Sequence, residues 1–426
     1  MLLFALNLFK AVTPKGCDDF VDRLNYHYTT VVLLCAAVII SAQQYAGRPI
    51  ECWIPQQFSR SMEQYIEAYC WAENTYYVPM HAHVPDDHSA RQGSAHSDRQ
   101  IGYYQWLPFI LLLQAFLFVL PCLLWRLTNW QSGTNLHLLV SAAIRCTSQH
   151  AELNKQAQHV ASLFDELLAV KNGGGGELVV SSYRNPQICT TTLAYLLSKL
   201  LYVLNATAQF WLLNRMLGDG RNGRIGVELE SSYFFGLQVL YDLWEGRGWR
   251  ESGHFPRVTL CDIQVRYVAN LNTFTVQCAL LLNLFAEKIF AAVWCWLVLV
   301  GGVSTLSFFY WLSSIAFLCE RISFVRRFLR GAHCNADDGH RVRHFVAQHL
   351  RTDGVFYLRM ISIHAGEVAA LKITRILWAN FAQSTSRSKE TRAEEEDGAK
   401  DNNREPFWPV PDGGAEPLLR DNFSKV

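Results

Sequence analysis

Two pairs of cysteines are the residues of this chain whose type and spacing most directly predict chemistry. Cys52 and Cys70 lie in one polar segment, and Cys261 and Cys278 lie in a second. Seventeen and sixteen residues separate the members of the two pairs, which is much wider than the cysteine spacing of zinc-binding modules. Cysteines in polar segments that must hold their shape without a large core are typical of disulfides in an oxidising exterior. We therefore expect all four to form structural disulfides outside the cell.

Long apolar stretches flank both polar segments. A helix needs about twenty mainly apolar residues to cross a bilayer. On this basis we predict an all-α membrane protein with four transmembrane helices, at residues 29–46, 103–125, 189–215 and 287–319. The third stretch contains Lys199, which we expect to reach the headgroups at the membrane boundary. Its other polar residues fit a helix that faces protein or a water-filled pore.

Basic residues beside the outermost spans predict that both chain ends are cytoplasmic, because loops rich in lysine and arginine stay on the inner side. They are Lys10, Lys15 and Arg23 before the first span, and Arg321, Arg326, Arg327 and Arg330 after the last. Residues 47–102 and 216–286 then form two extracellular loops, and residues 126–188 form a cytoplasmic loop.

The remaining segments are assigned to the cytoplasm. Residues 1–28 form an N-terminal segment, and residues 320–382 alternate apolar and basic positions at helical spacing, which predicts a helical C-terminal domain. Residues 383–426 are charged and low in complexity, which predicts a disordered tail. Gly173–Gly176 is interpreted as a flexible linker, because no lysine and serine or threonine follow it as in a phosphate-binding loop.

The chain carries no pattern typical of an enzyme or of a nucleic-acid-binding protein. We find no G-x-S-x-G, no H-E-x-x-H and no phosphate-binding glycine loop, so we predict no enzymatic activity and no cofactor. The formal net charge of +1 gives no argument for nucleic acid as a partner.

Four histidines in the first extracellular loop suggest a metal site or a pH sensor, but the solvated-loop interpretation is favoured. No cysteine or well-spaced carboxylate completes a ligand set, so we assign no metal. The residues are His81, His83, His88 and His96.

Further motifs resemble a known family. The sequence YYQWLPF, from Tyr103 to Phe109, is similar to a signature of the innexins, the invertebrate gap-junction proteins. The resemblance runs from about Asp18 to Phe381 and is specific, because several motifs occur in order at the expected topology. The other motifs are FVDRLNYHYTT, CWIPQQF, YCWAENTYYVP, SGHFPRVTLCDIQVRYVANLNTFTVQC, FAEKIF and DGVFYLRMISIHAG.

The resemblance implies a subunit of a large-pore ring channel in the plasma membrane. Its partners would be membrane lipid and innexin subunits of the same or a related type, in an octamer where the family architecture is known. The resemblance also implies docking of the ring to a hemichannel of the apposed cell. Two hemichannels joined in this way would pass ions and small molecules between cells at a gap junction.

The signature residues are interpreted as structural. Tyr103, Tyr104, Gln105 and Trp106 fit an aromatic belt at headgroup level that anchors the head of the second span, with Pro108 in the same motif. We assign them no ligand.

The family resemblance also suggests which charges line the pore. In the family, the N-terminal segment folds into the lumen. The candidate pore charges are therefore Lys10, Lys15, Asp18, Asp19 and Asp22.

If the two extracellular loops run antiparallel to each other, the first cysteine of one meets the last of the other. That arrangement pairs Cys52 with Cys278 and Cys70 with Cys261, and the family resemblance implies the same pairing.

Three functions remain open at this point: an intercellular channel, an undocked hemichannel that releases small metabolites, and a non-conducting adhesion or scaffold protein. Glycans on a docking face would obstruct the approach of the opposing hemichannel. The only N-x-S/T motifs are at Asn205, in a predicted span, and at Asn422, in the predicted tail, so the extracellular loops allow docking. Polar residues in the third span argue against a passive scaffold.

Overall fold

The protein is represented by a computed structural model, which describes residues 18–56, 58–73, 75–78, 100–131, 136–148, 153–171, 190–218, 255–334 and 339–401. Several predicted features lie outside these residues: Lys10, Lys15, the four histidines of the first extracellular loop, and the linker at 173–176.

Helices dominate the described residues. In chain order they are α1 (Phe20–Tyr45), α2 (Arg60–Glu73), α3 (Leu107–Gln131), α4 (Leu136–Ser148), α5 (Leu153–Lys171), α6 (Thr190–Gly218), α7 (Leu281–Ala316), α8 (Leu318–Gly331), α9 (Gly339–His344), α10 (Arg351–Ala365) and α11 (Glu367–Asp401). A π-helical segment, Phe345–Leu350, joins α9 to α10. The strands are β1 (Glu51–Trp53), β2 (Thr75–Tyr76), β3 (Gln100–Ile101), β4 (Val258–Tyr267) and β5 (Asn270–Ala279).

Four helices, α1, α3, α6 and α7, are long and apolar enough to cross a membrane, which confirms the predicted four-span fold. Helix α1 packs on α3, α6 packs on α3 and α7, and α7 also packs on α1. Together they enclose a core of aromatic and aliphatic side chains. At about 1.5 Å per residue, the 36 residues of α7 exceed the thickness of the bilayer core.

Helix α1 begins at Phe20, earlier than the predicted start of the span at residue 29. Asp19 caps the helix: its side chain accepts a hydrogen bond from the Phe20 backbone N–H at 2.7 Å. The Asp22 carboxylate accepts one from the Asp19 backbone N–H at 3.2 Å, which completes a capping box. The charged first turn therefore belongs to the helix.

The described strands form one antiparallel sheet on the extracellular side, in the order β1-β5-β4-β2-β3. Its main element is the β4–β5 hairpin, whose register runs from Val258 opposite Ala279 to Tyr267 opposite Asn270. The base of the hairpin packs with α2 around a small core that contains all four paired cysteines. No strand is among the elements predicted from the sequence.

The cytoplasmic helices are joined to the start of the third span. Helix α10 packs on α4 and α6. The carboxylate of Asp353 accepts hydrogen bonds from the backbone N–H and the hydroxyl of Thr192, and Tyr357 donates to the Thr191 hydroxyl at 3.1 Å. Helix α11 continues to Asp401, so it extends beyond residue 382, where the predicted C-terminal domain ended.

Candidate functional site

Two disulfides connect the extracellular loops in the predicted arrangement. Cys52 is bonded to Cys278, with the Cα atoms 4.0 Å apart, and Cys70 is bonded to Cys261, with the Cα atoms 5.8 Å apart. Strand β1 places Cys52 directly opposite Cys278 of β5. The second bridge fastens helix α2 to strand β4. The predicted pairing is confirmed.

The two bridges lie side by side and are buried. The sulfur atoms of Cys52, Cys70 and Cys278 are all within 4.8 Å of one another. All three are held in disulfides, so they offer no thiolate to a metal ion. Each bridge also joins residues roughly two hundred positions apart, with separations of 226 and 191 residues. The bridges therefore determine the relative position of the two extracellular loops.

The aromatic signature connects this sheet region to the second span. Tyr104 is fully buried, its ring centroid lies 4.6 Å from that of Trp71, and its hydroxyl donates to the Trp71 carbonyl at 3.3 Å. The Gln105 side chain donates to the same carbonyl at 2.6 Å. Burial raises the pKa of Tyr104 to about 12, as expected of a phenol held inside the packing. Because Trp71 follows Cys70, these contacts fix the disulfide-bonded helix to the head of α3.

The rest of the signature divides between protein and lipid. Tyr103 packs edge-on against Phe255 at 5.8 Å, next to the start of β4. Trp106 is 63% exposed beside the beginning of the span, as a belt residue would be. Pro108 is the second residue of α3, where the missing backbone N–H has no helical partner to lose.

A cluster of charges is buried at the other end of the membrane helices. Lys199, on α6, is 2% exposed, and its ammonium lies 2.9 Å from the Asp22 carboxylate and 3.3 Å from that of Asp19. It also donates to the Ser307 hydroxyl of α7 at 3.0 Å. The expectation that Lys199 reaches the headgroups is therefore wrong, because it pairs inside the subunit instead. The cluster joins the beginning of α1 to two other spans.

Neutral side chains complete the cluster. Tyr26 donates to Asp18 at 2.8 Å, and Tyr195 donates to Asp22 at 3.0 Å. The Trp311 indole donates to Asp19 at 3.2 Å. Hydrogen bonds to buried carboxylates offset the loss of their hydration.

This arrangement bears on the predicted pore charges. Asp18 and Asp22 are 3% and 4% exposed in the single subunit, so their carboxylates face other side chains of the same subunit there. Asp19 is partly exposed, but its carboxylate is held by Lys199 and Trp311. The structure thus places these aspartates in the helix packing. Sequence reasoning missed this because the partners lie far along the chain; Lys199, a cation within an apolar stretch, was the available signal.

Other interhelical hydrogen bonds satisfy polar groups within the spans. The Asn25 amide donates to Ser304 at 2.7 Å, joining α1 to α7. The Trp296 indole donates to Thr29 at 3.0 Å, which joins the same helices. The Trp294 indole donates to Asn214 at 2.9 Å, joining α7 to α6. Such bonds hold membrane helices together where lipid offers no partner.

Comparison with known proteins identifies the family. The innexin family model matches residues 18–381, which is most of the chain. The chain belongs to the innexin family. Innexins are channel-forming proteins of gap junctions, and this innexin is a multi-pass membrane protein of that class.

Curated relatives cover nearly the same length. This innexin is 40% identical to Innexin-19 of Caenorhabditis elegans over 92% of the chain and 90% of the relative. It is 39% identical to Innexin-19 of Caenorhabditis briggsae over 92% of the chain and 93% of the relative. It is also 40% identical to Innexin unc-9 of Caenorhabditis elegans over 90% of the chain and 97% of the relative.

The disulfides generate the first prediction. Replacing both Cys52 and Cys278 with serine removes one bridge without leaving a free thiol, and we expect junctional conductance between paired cells to be lost. The physical reason is that a structural disulfide contributes about 2–5 kcal/mol to a small domain. The matched control is Cys35→Ser, since Cys35 is a free, exposed cysteine of α1. Conductance at the wild-type level, with normal surface expression of the double variant, would contradict the prediction.

The buried cluster generates the second prediction. Lys199→Met leaves Asp19 and Asp22 without their cation, and breaking one side of a buried ion pair costs about 3–5 kcal/mol. We expect the purified channel to melt at a clearly lower temperature in fluorescence-detected size exclusion. Adding Asp22→Asn should recover part of the loss, because one uncompensated charge is removed.

The control for this prediction is Lys288→Met, which removes the same charge from an exposed position of α7. We expect it to leave the melting temperature nearly unchanged. Equal melting of the Lys199 and Lys288 variants would show that the cluster does not stabilise the subunit.

Proposed function

We propose that this innexin subunit assembles with like or related subunits into an octameric ring, and that the ring docks with its counterpart in the membrane of an apposed cell. The docked pair forms an intercellular channel for ions and small molecules. Family membership, the four spans and the disulfide-bonded extracellular sheet support this function.

The observation that carries the proposal is the shape of the β4–β5 hairpin. Both disulfides hold its base, through Cys261 on one strand and Cys278 on the other. Its far end is solvent-exposed, with Val268 92% exposed at the turn. A rigid base with an exposed end suits an element that contacts another molecule, because less ordering is required on binding.

The strand pairing supports the same interpretation. Among the described residues, strand β1 pairs only with Gln277–Ala279 of β5, and β2 meets β4 only at Leu260. In the part of the chain that the structure describes, the end of the hairpin between Ile263 and Thr275 therefore pairs only with itself. Unpaired strand edges bind other strands readily, so this segment is suited to contact the opposing hemichannel.

Exposed apolar residues on the spans support assembly in a membrane. Leu306 of α7 and Leu193 of α6 are more than half exposed in the single subunit, as is Trp211. In the ring, these side chains contact lipid or neighbouring subunits, as surfaces of membrane helices do.

Conduction follows from the size of such a pore. A wide lumen passes hydrated ions, and charges at its constriction set the selectivity. Of the predicted pore charges, Lys10 and Lys15 remain in this proposal, because Asp18 and Asp22 are buried and Asp19 is paired with Lys199.

A single substitution tests docking at the hairpin. Asn272→Thr creates an N-x-T glycosylation motif whose acceptor is Asn270, next to the turn, where both asparagines are exposed. We expect the glycan to abolish junctional conductance between paired cells by separating the two hemichannels. Current through undocked channels in single cells should persist, because the glycan lies away from the membrane helices.

The matched control adds Asn270→Gln to Asn272→Thr, which removes the acceptor and keeps the threonine. It should restore junctional conductance. A glycosidase-sensitive shift in mobility verifies that the glycan is present. Full junctional conductance with the glycan attached would rule out docking through this hairpin. Single-cell current without junctional conductance in cells that express the wild-type subunit would favour an undocked hemichannel.

A further inference from the structure

A basic cavity lies at the cytoplasmic end of the fourth span. Its volume is about 620 Å³, and it is open to solvent. The residues that line it share one face of α8, at helical spacing: Cys319, Ile322, Ser323, Arg326, Arg327 and Arg330. The opposite face of α8 is buried through Val325, Phe328 and Leu329. The cavity face is thus the free side of an amphipathic helix.

Helix α8 directly follows the fourth span on its cytoplasmic side. Phe317, in an extended conformation, separates the end of α7 from the beginning of α8 and is 62% exposed. Along α8, the less polar lining residues, Cys319 and Ile322, come first and the arginines come later. A lipid has the same order, with an apolar part in the bilayer and a charged headgroup beyond it.

The arginines of α8 differ in their partners. Arg321 is turned to the protein and donates to the Thr352 hydroxyl at 2.7 Å. Arg327 pairs with Glu367 at 2.8 Å, but both side chains are mostly exposed, and such pairs contribute little. Among the described residues, no carboxylate lies within ion-pair distance of Arg326 or Arg330, and the Arg326 Nε atom is buried without a hydrogen-bond partner.

We propose that this cavity binds the polyphosphorylated headgroup of an anionic lipid of the inner leaflet. Four arginines against one glutamate give α8 an excess of positive charge. Clusters of basic residues immediately cytoplasmic to a span attract anionic lipids, and arginine forks match phosphate oxygens. Arg326 and Arg330 hold the phosphates, Arg327 exchanges Glu367 for them, and the acyl chains lie along the exposed surface near Phe317.

The test uses the purified full-length channel and a fluorescent short-chain phosphatidylinositol bisphosphate, with binding followed by anisotropy. Replacing Arg326 and Arg330 with glutamine should weaken binding about thirtyfold, because each basic residue near the surface contributes about 1 kcal/mol, a factor of about five. The matched control replaces Arg343 and Arg375, which are exposed and outside the cavity, with glutamine. It should change binding less than twofold.

Two competitors distinguish the source of the phosphate. Soluble inositol trisphosphate should displace the probe only at much higher concentration, because it lacks the acyl chains. Equal potency would overturn the lipid assignment in favour of a free phosphate ligand. Equal binding of phosphatidylserine at matched charge, or equal loss in the control variant, would reduce the site to diffuse attraction and overturn the proposal. Size exclusion of each variant verifies that the channel remains assembled.

Discussion

The absence of water in the bilayer core is the constraint on which the rest of this structure depends. A buried ammonium group must find its counter-charge within the protein, and Lys199 finds it in Asp22 and Asp19. Because these aspartates lie in the cap and first turn of α1, satisfying one lysine also fixes where the first span begins. Ser307 and Trp311 bring α7 to the same point. One electrostatic requirement therefore sets the packing of three helices.

Outside the membrane the opposite problem arises, since water competes for every hydrogen bond and the extracellular core is small. Covalent bonds stabilise this part of the structure: the disulfides at Cys261 and Cys278 hold the hairpin base, and water does not compete with them. The Tyr104 and Gln105 contacts to Trp71 then transmit that fixed geometry to the head of α3. The signature motif therefore connects the bundle of membrane helices to the disulfide-bonded extracellular region.

Sequence reasoning succeeded where a residue's own type carries the information. Long apolar stretches predicted the spans, and cysteine context predicted disulfides. It failed for Lys199, because its partner Asp19 lies 180 positions away and helix packing decides whether a lysine snorkels or pairs. The hairpin also escaped prediction. Cys261 and Ile263 are buried at alternate positions of β4, and alternation of this kind indicates a strand. The turn at Val268 and Ala269, however, lacks the asparagine and glycine that usually mark a hairpin.

Lys199 and the arginines of α8 both lie near the cytoplasmic side, but their surroundings differ. The difference distinguishes a charge that stabilises the fold from charges that can bind a ligand. Lys199 is buried and has carboxylates at ion-pair distance, so its charge stabilises the packing of the helices. Arg330 is exposed beside a cavity, and Arg326 has a buried nitrogen without a partner. Arg326 and Arg330 have no carboxylate partner among the described residues, and packing alone does not account for their position on one face of a helix that follows a span. A ligand of opposite charge, held where the bilayer presents its own phosphates, accounts for their position.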